Sequence, residues 1–287
     1  MTTPTHYRWK HGAPRTVFIT GSSSGIGRDM ARRLAAEGAS IALFNRSGAE
    51  DVLQELRAAA RSPAQRFAAW RADVSDADAL AAEVALAVRD LGAPDLTIHS
   101  AGVLHNAPLA QSSAADFDHV IDINLKGSRH LAAAVLPHLA ARSHLVFIAS
   151  LAGLTGNFGY TAYCASKFGV RGLAESLRFE LKLQDIDVSL CCPGEIQTPM
   201  VAEEKRHMHP ISAAMKAFAG SRTLDASVPA LLRGIARRQF EIVDGPRPAL
   251  TAFLSRHTPR LARWTGDRIA ARALRAATTH PTPKAPQ

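Results

Sequence analysis

"TVFITGSSSGIGRDMARRLAAEG", residues 16 to 38, joins a short β-branched and apolar run to a glycine-rich turn and then to a helical stretch. That succession suits a pyrophosphate. Gly21 permits a tight turn, Gly25 lets the backbone approach the phosphates, and Gly27 allows the helix to pack closely on the sheet. The free N–H groups at the helix start add the positive end of its dipole. Three serines, Ser22, Ser23 and Ser24, supply further donors, and Ile26 completes the loop. A glycine-rich stretch alone is equally a plain strand-to-helix turn, so the surrounding pattern must decide.

Outward from this stretch, near-continuous apolar runs at 40–45, 96–102, 144–150 and 187–194 read as strands covered on both faces, with a further strand near 66–71. Helical segments fall between them near 25–37, 50–60, 76–91, 114–140 and 162–183. Such alternation predicts an α/β fold with a doubly wound parallel sheet, a Rossmann fold, binding its ligand at the carboxyl ends of the strands. The expected organisation is a flexible N-terminus over 1–14, one catalytic domain over 15–245 with a substrate lid near 199–225, and a basic C-terminal extension over 246–287. Its last stretch, "HPTPKAPQ", is expected to be disordered.

Where the second strand ends, a dinucleotide site must meet the adenosine ribose. An NAD site places a carboxylate there for the 2′-hydroxyl. Here the strand ends "LFNRS": Asn45, Arg46 and Ser47, with no carboxylate. A guanidinium pairs with a 2′-phosphate and a serine hydroxyl assists, so NADP(H) is favoured over NAD(H); the competing reading is that Arg46 is a solvated surface residue. In "ADVSD" (72–76), Asp73, with Val74 beside it, either accepts from the adenine amino group or serves as a turn or cap residue.

The stretch "FGYTAYCASKFGVRG" (158–172) offers two tyrosines and one lysine. Residues four apart share a helix face, so Tyr163, not Tyr160, has Lys167 as its neighbour. An adjacent ammonium stabilises a phenolate and lowers its pKa. Ser150 stands at a strand's carboxyl end, where its hydroxyl can hold a carbonyl oxygen beside the phenol. Asn124 lies inside a helix, an unfavourable place unless its side chain has a task. Each residue has an ordinary structural reading on its own; the ordered set is harder to dismiss.

That set, TGSSSGIG, Asp73, "SAG" (Ser100, Ala101, Gly102), Asn124, Ser150, Tyr163-x-x-x-Lys167 and "PGEIQTPM" (193–200), resembles the short-chain dehydrogenase/reductase family over roughly residues 15 to 245. Ser100 departs from the Asn that the family more often has there. The resemblance implies that Tyr163 donates the proton, Ser150 orients the carbonyl oxygen, Lys167 tunes the tyrosine and grips the ribose, and Asn124 holds a relay water. Pro193, Gly194, Ile196 and Thr198 would hold the nicotinamide half. It also implies hydride transfer between NADPH and a ketone, and a homodimer or homotetramer built on the helices at 114–140 and 162–183.

"GLTGNFGYTAYCASKFGVRGLAESLRFELK" with "PGEIQTPMVAEEKR" looks like the branch containing 3-ketodihydrosphingosine reductases, although steroid and retinoid reductases share much of this pattern. A non-catalytic NADP-binding regulator is the alternative from a different class. The loop after Thr198 carries Met200, Val201, Met208, Ile211, Met215 and Phe218, which suit a lipophilic ketone or alcohol, or ordinary lid packing.

Net charge is +9 over 287 residues, and residues 246–287 alone hold seven arginines and one lysine against one aspartate. The surplus belongs to the ends, which disfavours nucleic-acid binding by a folded face. Apolar residues alternate with the arginines from Leu250 to Ile269, with a helix start expected at Thr258 and a stop at Gly266. That segment offers a peripheral membrane contact, a cap on the cleft, or a subunit contact. The three cysteines have no metal-ligand spacing, no metal is expected, and no apolar run is long enough to span a bilayer. These features point to a cytoplasmic protein.

Overall fold

The computed structural model describes residues 7–279. Strand β1 (Thr16–Thr20) feeds helix α1 (Gly25–Ala36). The alternation continues through β2 (Ser40–Asn45), α2 (Glu50–Ala59), β3 (Phe67–Arg71), α3 (Ala77–Leu91) and β4 (Leu96–His99). Next come α4 (Ala114–Ile121), α5 (Gly127–Val135), β5 (His144–Ile148), α6 (Thr161–Lys182) and β6 (Asp187–Cys191). The last third holds β7 (Glu195–Ile196), α7 (Pro199–His207), α8 (Pro210–Ala219), β8 (Ser221–Arg222), α9 (Leu224–Ala236), β9 (Glu241–Ile242), α10 (Pro246–His257) and α11 (Pro259–Thr279).

Seven strands form one parallel sheet in the order β3-β2-β1-β4-β5-β6-β9, as the alternating pattern requires. The order reverses between β1 and β4, so a crevice opens at their carboxyl ends. Alternate residues of β1 point to opposite faces. Val17 and Ile19 pack with Met30 and Leu34 of α1, while Phe18 packs on the other side with Leu80 of α3 and Leu131 of α5. All three β1 residues are fully buried, which explains the unbroken apolar run and contributes about 1.5–3 kcal/mol each.

Several expectations are corrected. The stretch at 114–140 is not one uniform helix, because a π-helical turn over Asp122–Lys126 separates α4 from α5; its Gly127 N–H donates to Asp122 O. Residues 7–14 do not trail from the domain: Tyr7 is buried in the core and Lys10 N–H donates to Ala236 O. Gly266 does not stop a helix, because α11 continues through it to Thr279 with the glycine against Met215 of α8. The segment 280–287 lies outside the described residues.

Candidate active site

The phosphate loop is held closed by its neighbours. Gly21 has φ +66°, and a Cβ there would lie 2.4 Å from the Ala101 backbone; one on Gly27 would lie 2.4 Å from Gly21 O. Neither clash can be relieved, so the β1–α1 turn and the Ser100–Gly102 segment nest only with glycine at these positions. Ser100 N–H donates to Thr20 O, fixing that segment beside the loop. Gly21, Ser23, Ser24, Gly25 and Ile26 line one end of a cavity of about 460 Å³, and Ser100, Ala101 and Gly102 line its floor. A backbone cradle emptied of side chains at a helix N-terminus fits a dinucleotide pyrophosphate.

Asn45 is used differently from the expected ribose contact. It is buried, its Oδ1 accepts from Ser22 N–H at 2.8 Å, and its Nδ2 donates to Ser22 Oγ at 3.0 Å. It therefore ties the end of β2 to the phosphate loop. Arg46 and Ser47 are exposed just beyond it, outside the cavity lining. Asp73 accepts from both the N–H and the hydroxyl of Ser75 at 2.9 and 2.7 Å, and these bonds hold its pKa below the usual aspartate value, helped by Arg46. Val74 is buried against Gly127, and its carbonyl is 2.9 Å from His130 Nδ1.

At the other end, Ser150, Tyr163 and Lys167 line the cavity together. Ser150 follows β5, and its Oγ accepts from Ala152 N–H at 3.1 Å. Burial pushes the Tyr163 phenol up to about 12 although the neighbouring Ser150 hydroxyl pulls it down. Lys167 lies one helical turn on, its Nζ 5.5 Å from the Tyr163 ring centre and donating to Ile148 O at 3.0 Å. Burial holds its ammonium down to about 8. The pair is thus a protonated phenol, as a proton donor requires, beside an ammonium of lowered pKa, and burial outweighs the downward pull on the phenol expected from its neighbour.

Asn124 sits in the π-helical turn and does not line the cavity. Its Oδ1 accepts from Val103 N–H, and its Nδ2 donates to Val103 O and Ser166 Oγ. The turn leaves Asn124 O for the Ser128 hydroxyl at 2.6 Å. The residue pins the segment after Gly102 to α6, and its Oδ1 is 3.2 Å from where a Gly102 Cβ would stand.

Pro193, Gly194, Ile196 and Thr198 form the remaining wall. Gly194 N–H donates to Asp244 Oδ1 at 2.9 Å, a fully buried carboxylate after β9. Thr198 caps α7 through Val201 N–H. Above them, Met200, Val201, Met215 and Phe218 of α7 and α8 and Leu254, Leu261 and Ile269 of α10 and α11 complete an apolar roof. The C-terminal segment therefore covers the cleft.

Sequence reading missed a polar cluster in this roof. Tyr160, the residue before α6, donates its hydroxyl to Glu204 of α7, and burial, followed by that bond, raises its pKa strongly. Lys216 Nζ of α8 lies 2.5 Å from Glu204 and 2.8 Å from Glu195. In sequence, Glu203 to Arg206 look like solvated charges, and only the pairing of α7 with α8 distinguishes Glu204.

Residues 15–209 match the family model described as short chain dehydrogenase. Two 3-dehydrosphinganine reductases of Arabidopsis thaliana are 36% and 34% identical to this chain, each over 79% of it and over 70% and 69% of their own lengths. A short-chain dehydrogenase/reductase of Burkholderia phymatum, solved in complex with NAD, superposes with a TM-score of 0.73 at 26% identity, covering 84% of this chain and 92% of its own. The nested glycine loop, the seven-stranded parallel sheet and these matches agree: the chain belongs to the short-chain dehydrogenase/reductase family and is an NAD(P)-dependent oxidoreductase.

Proposed function

We propose that the chain is an NADPH-dependent reductase that converts a ketone on a lipophilic, long-chain 3-keto amine to a secondary alcohol. The observation that carries this reading is the single cavity joining Ser150, Tyr163 and Lys167 to an apolar roof from four helices. Its similarity to the 3-dehydrosphinganine reductases supports the substrate class. The bound dinucleotide supplies the hydride. Ser150 holds the carbonyl oxygen, and Tyr163, kept protonated by burial, gives it a proton. Lys167 grips the nicotinamide ribose and returns the proton to the phenol, and Asn124 fixes the wall along which water reaches that lysine. NADPH oxidation by the purified protein tests the proposal on a panel of 3-ketosphinganine, a steroid ketone, a β-ketoacyl thioester and a small aldehyde. Preferential turnover of 3-ketosphinganine is expected, and turnover confined to the others would overturn the substrate class.

Preference for NADPH rests on Arg46, exposed at the end of β2 with no carboxylate in the Asn45–Ser47 stretch. Arg46→Glu is expected to raise the KM for NADPH about tenfold or more, since it replaces a phosphate partner by an anion, while NADH is affected far less. Equal changes for both cofactors would refute the assignment.

The outer face of the roof exposes Phe218, Leu250, Phe253 and Trp264 among the arginines of α10 and α11, a combination suited to peripheral contact with an anionic membrane. No helix among the described residues is long and apolar enough to cross one. Sedimentation with phosphatidylserine vesicles is expected to be lost at 0.5 M salt or with Phe253 and Trp264 changed to Ser. Exposed Phe168, Phe179 and Leu183, on α6 and just beyond it, mark the proposed subunit contact of a homodimer or homotetramer.

A further inference from the structure

Charge inside the cleft is placed unevenly. Among the described residues, Lys167, Glu195 and Lys216 are the charged ones in its lining, and Lys167 belongs to the reacting centre. Glu195, on β7 directly after Pro193-Gly194, has a side chain only 7% exposed and touches two lysines: Lys216 at 2.8 Å and Lys205 at 2.9 Å. Lys216 is 14% exposed and shared with Glu204, which is 2% exposed, but Lys205 is 51% exposed. The buried cluster thus holds two carboxylates against one ammonium. Its second cation reaches in from solvent. A buried carboxylate whose counter-ion is a long, half-exposed lysine is a ready acceptor for another cation, because Lys205 regains full hydration when displaced.

The cluster also lies at the right place. Tyr160, which donates to Glu204, has its ring centre 6.2 Å from that of Tyr163. Glu195 lines the same cavity as Ser150 and Tyr163, so a ketone oxygen held at those two residues leaves substituents on the adjacent carbons in a space that Glu195 shares, while an alkyl chain runs along the apolar residues of α8, α10 and α11.

We propose that Glu195, backed by the Tyr160–Glu204–Lys216 network, is a head-group subsite that selects ketones bearing an ammonium on the carbon next to the carbonyl. Glu195 accepts from the ammonium in place of Lys205, and Lys216 stays between the two carboxylates and keeps the subsite from carrying a full double charge. Glu195 is a specificity residue, not a catalytic one. This assignment rests on the long-chain keto-amine reading and extends it to named residues.

The test compares 3-ketosphinganine with the deaminated ketone of the same chain length, using kcat/KM ratios from NADPH oxidation. Glu195→Gln, which keeps shape and hydrogen-bonding capacity, is expected to lower the amino-to-deamino preference at least tenfold, mostly through KM for the amino ketone. Lys205→Ala, an exposed change, is expected to raise that preference by removing the competing cation. Unchanged NADPH binding to both variants shows that the fold and cofactor half are intact. Preference unaltered in both variants, or shifted the same way in both, overturns the subsite while the reductase reading stands. A wild-type protein that reduces neither long-chain ketone overturns both.

Discussion

Tyr163→Phe is expected to lower kcat for ketone reduction by about 10²–10⁴-fold, the usual share of a positioned general acid, while NADPH binds as before. The phenol is the acidic hydrogen that the structure brings to the carbonyl position: it lines the cavity together with Ser150 and is kept protonated because burial pushes it up to about 12. A pKa that high leaves the acid form fully populated at neutral pH. It also makes the free phenol a weak donor, so the barrier falls only if charge developing on tyrosine is met by the Lys167 ammonium nearby. Phenylalanine removes the proton and keeps the ring. Its half-buried site loses one hydroxyl, and the Ser150 oxygen still accepts from Ala152 N–H, so folding is little disturbed. Single-turnover reduction with saturating NADPH checks the point. A loss smaller than tenfold would mean that another group delivers the proton.

The choice of Tyr163 over Tyr160 was legible because helical spacing is local: one turn of α6 places Lys167 beside it. The sheet was legible for the same kind of reason, since β1, β2, β4, β5 and β6 are buried on both faces and show it as unbroken apolar runs. Arrangements that depend on distant partners were not. Asn45 stands where a ribose contact is expected, but its amide is taken by Ser22, 23 residues away. β9 has two residues, too few for any periodicity, and exists because it pairs with β6. Gly266 reads as a helix end, yet α11 rests on α8 there, and packing outweighs the roughly 1 kcal/mol that glycine costs in a helix. Glu204 is hidden among Glu203, Lys205 and Arg206 until the fold seats it against Tyr160.

Lys167→Met is expected to give a protein that is more stable than wild type at pH 7 and nearly inactive. Lys167 is 5% exposed and burial holds its ammonium at about 8, against 10.5 for a free lysine. Below pH 8 both folded and unfolded chains carry the proton, so the full cost of burying it is present; the gap in pKa corresponds to about 3 kcal/mol. Between pH 8 and 10.5 the unfolded chain binds more protons than the folded one, so wild-type stability rises with pH across that window. Methionine has nearly the same length and no charge, but it forfeits the bond from Nζ to Ile148 O, about 1 kcal/mol. The net gain is about 2 kcal/mol at pH 7, but near pH 10.5, where the burial cost has gone and only the forfeited bond remains, it becomes a loss of about 1 kcal/mol, and urea titrations at the two pH values measure the change of sign. Activity moves the other way. With no ammonium beside the phenol and no grip on the ribose, kcat/KM is expected to fall by at least about 100-fold. In the wild type, kcat/KM should decline as pH rises past about 8, where the free protein loses this proton. If the variant instead proves less stable at pH 7, the lysine is held by compensating contacts and its ammonium carries no stored cost. If it proves more stable, the buried charge is retained for catalysis at the expense of the fold, as expected of a residue placed to act on a neighbour's proton.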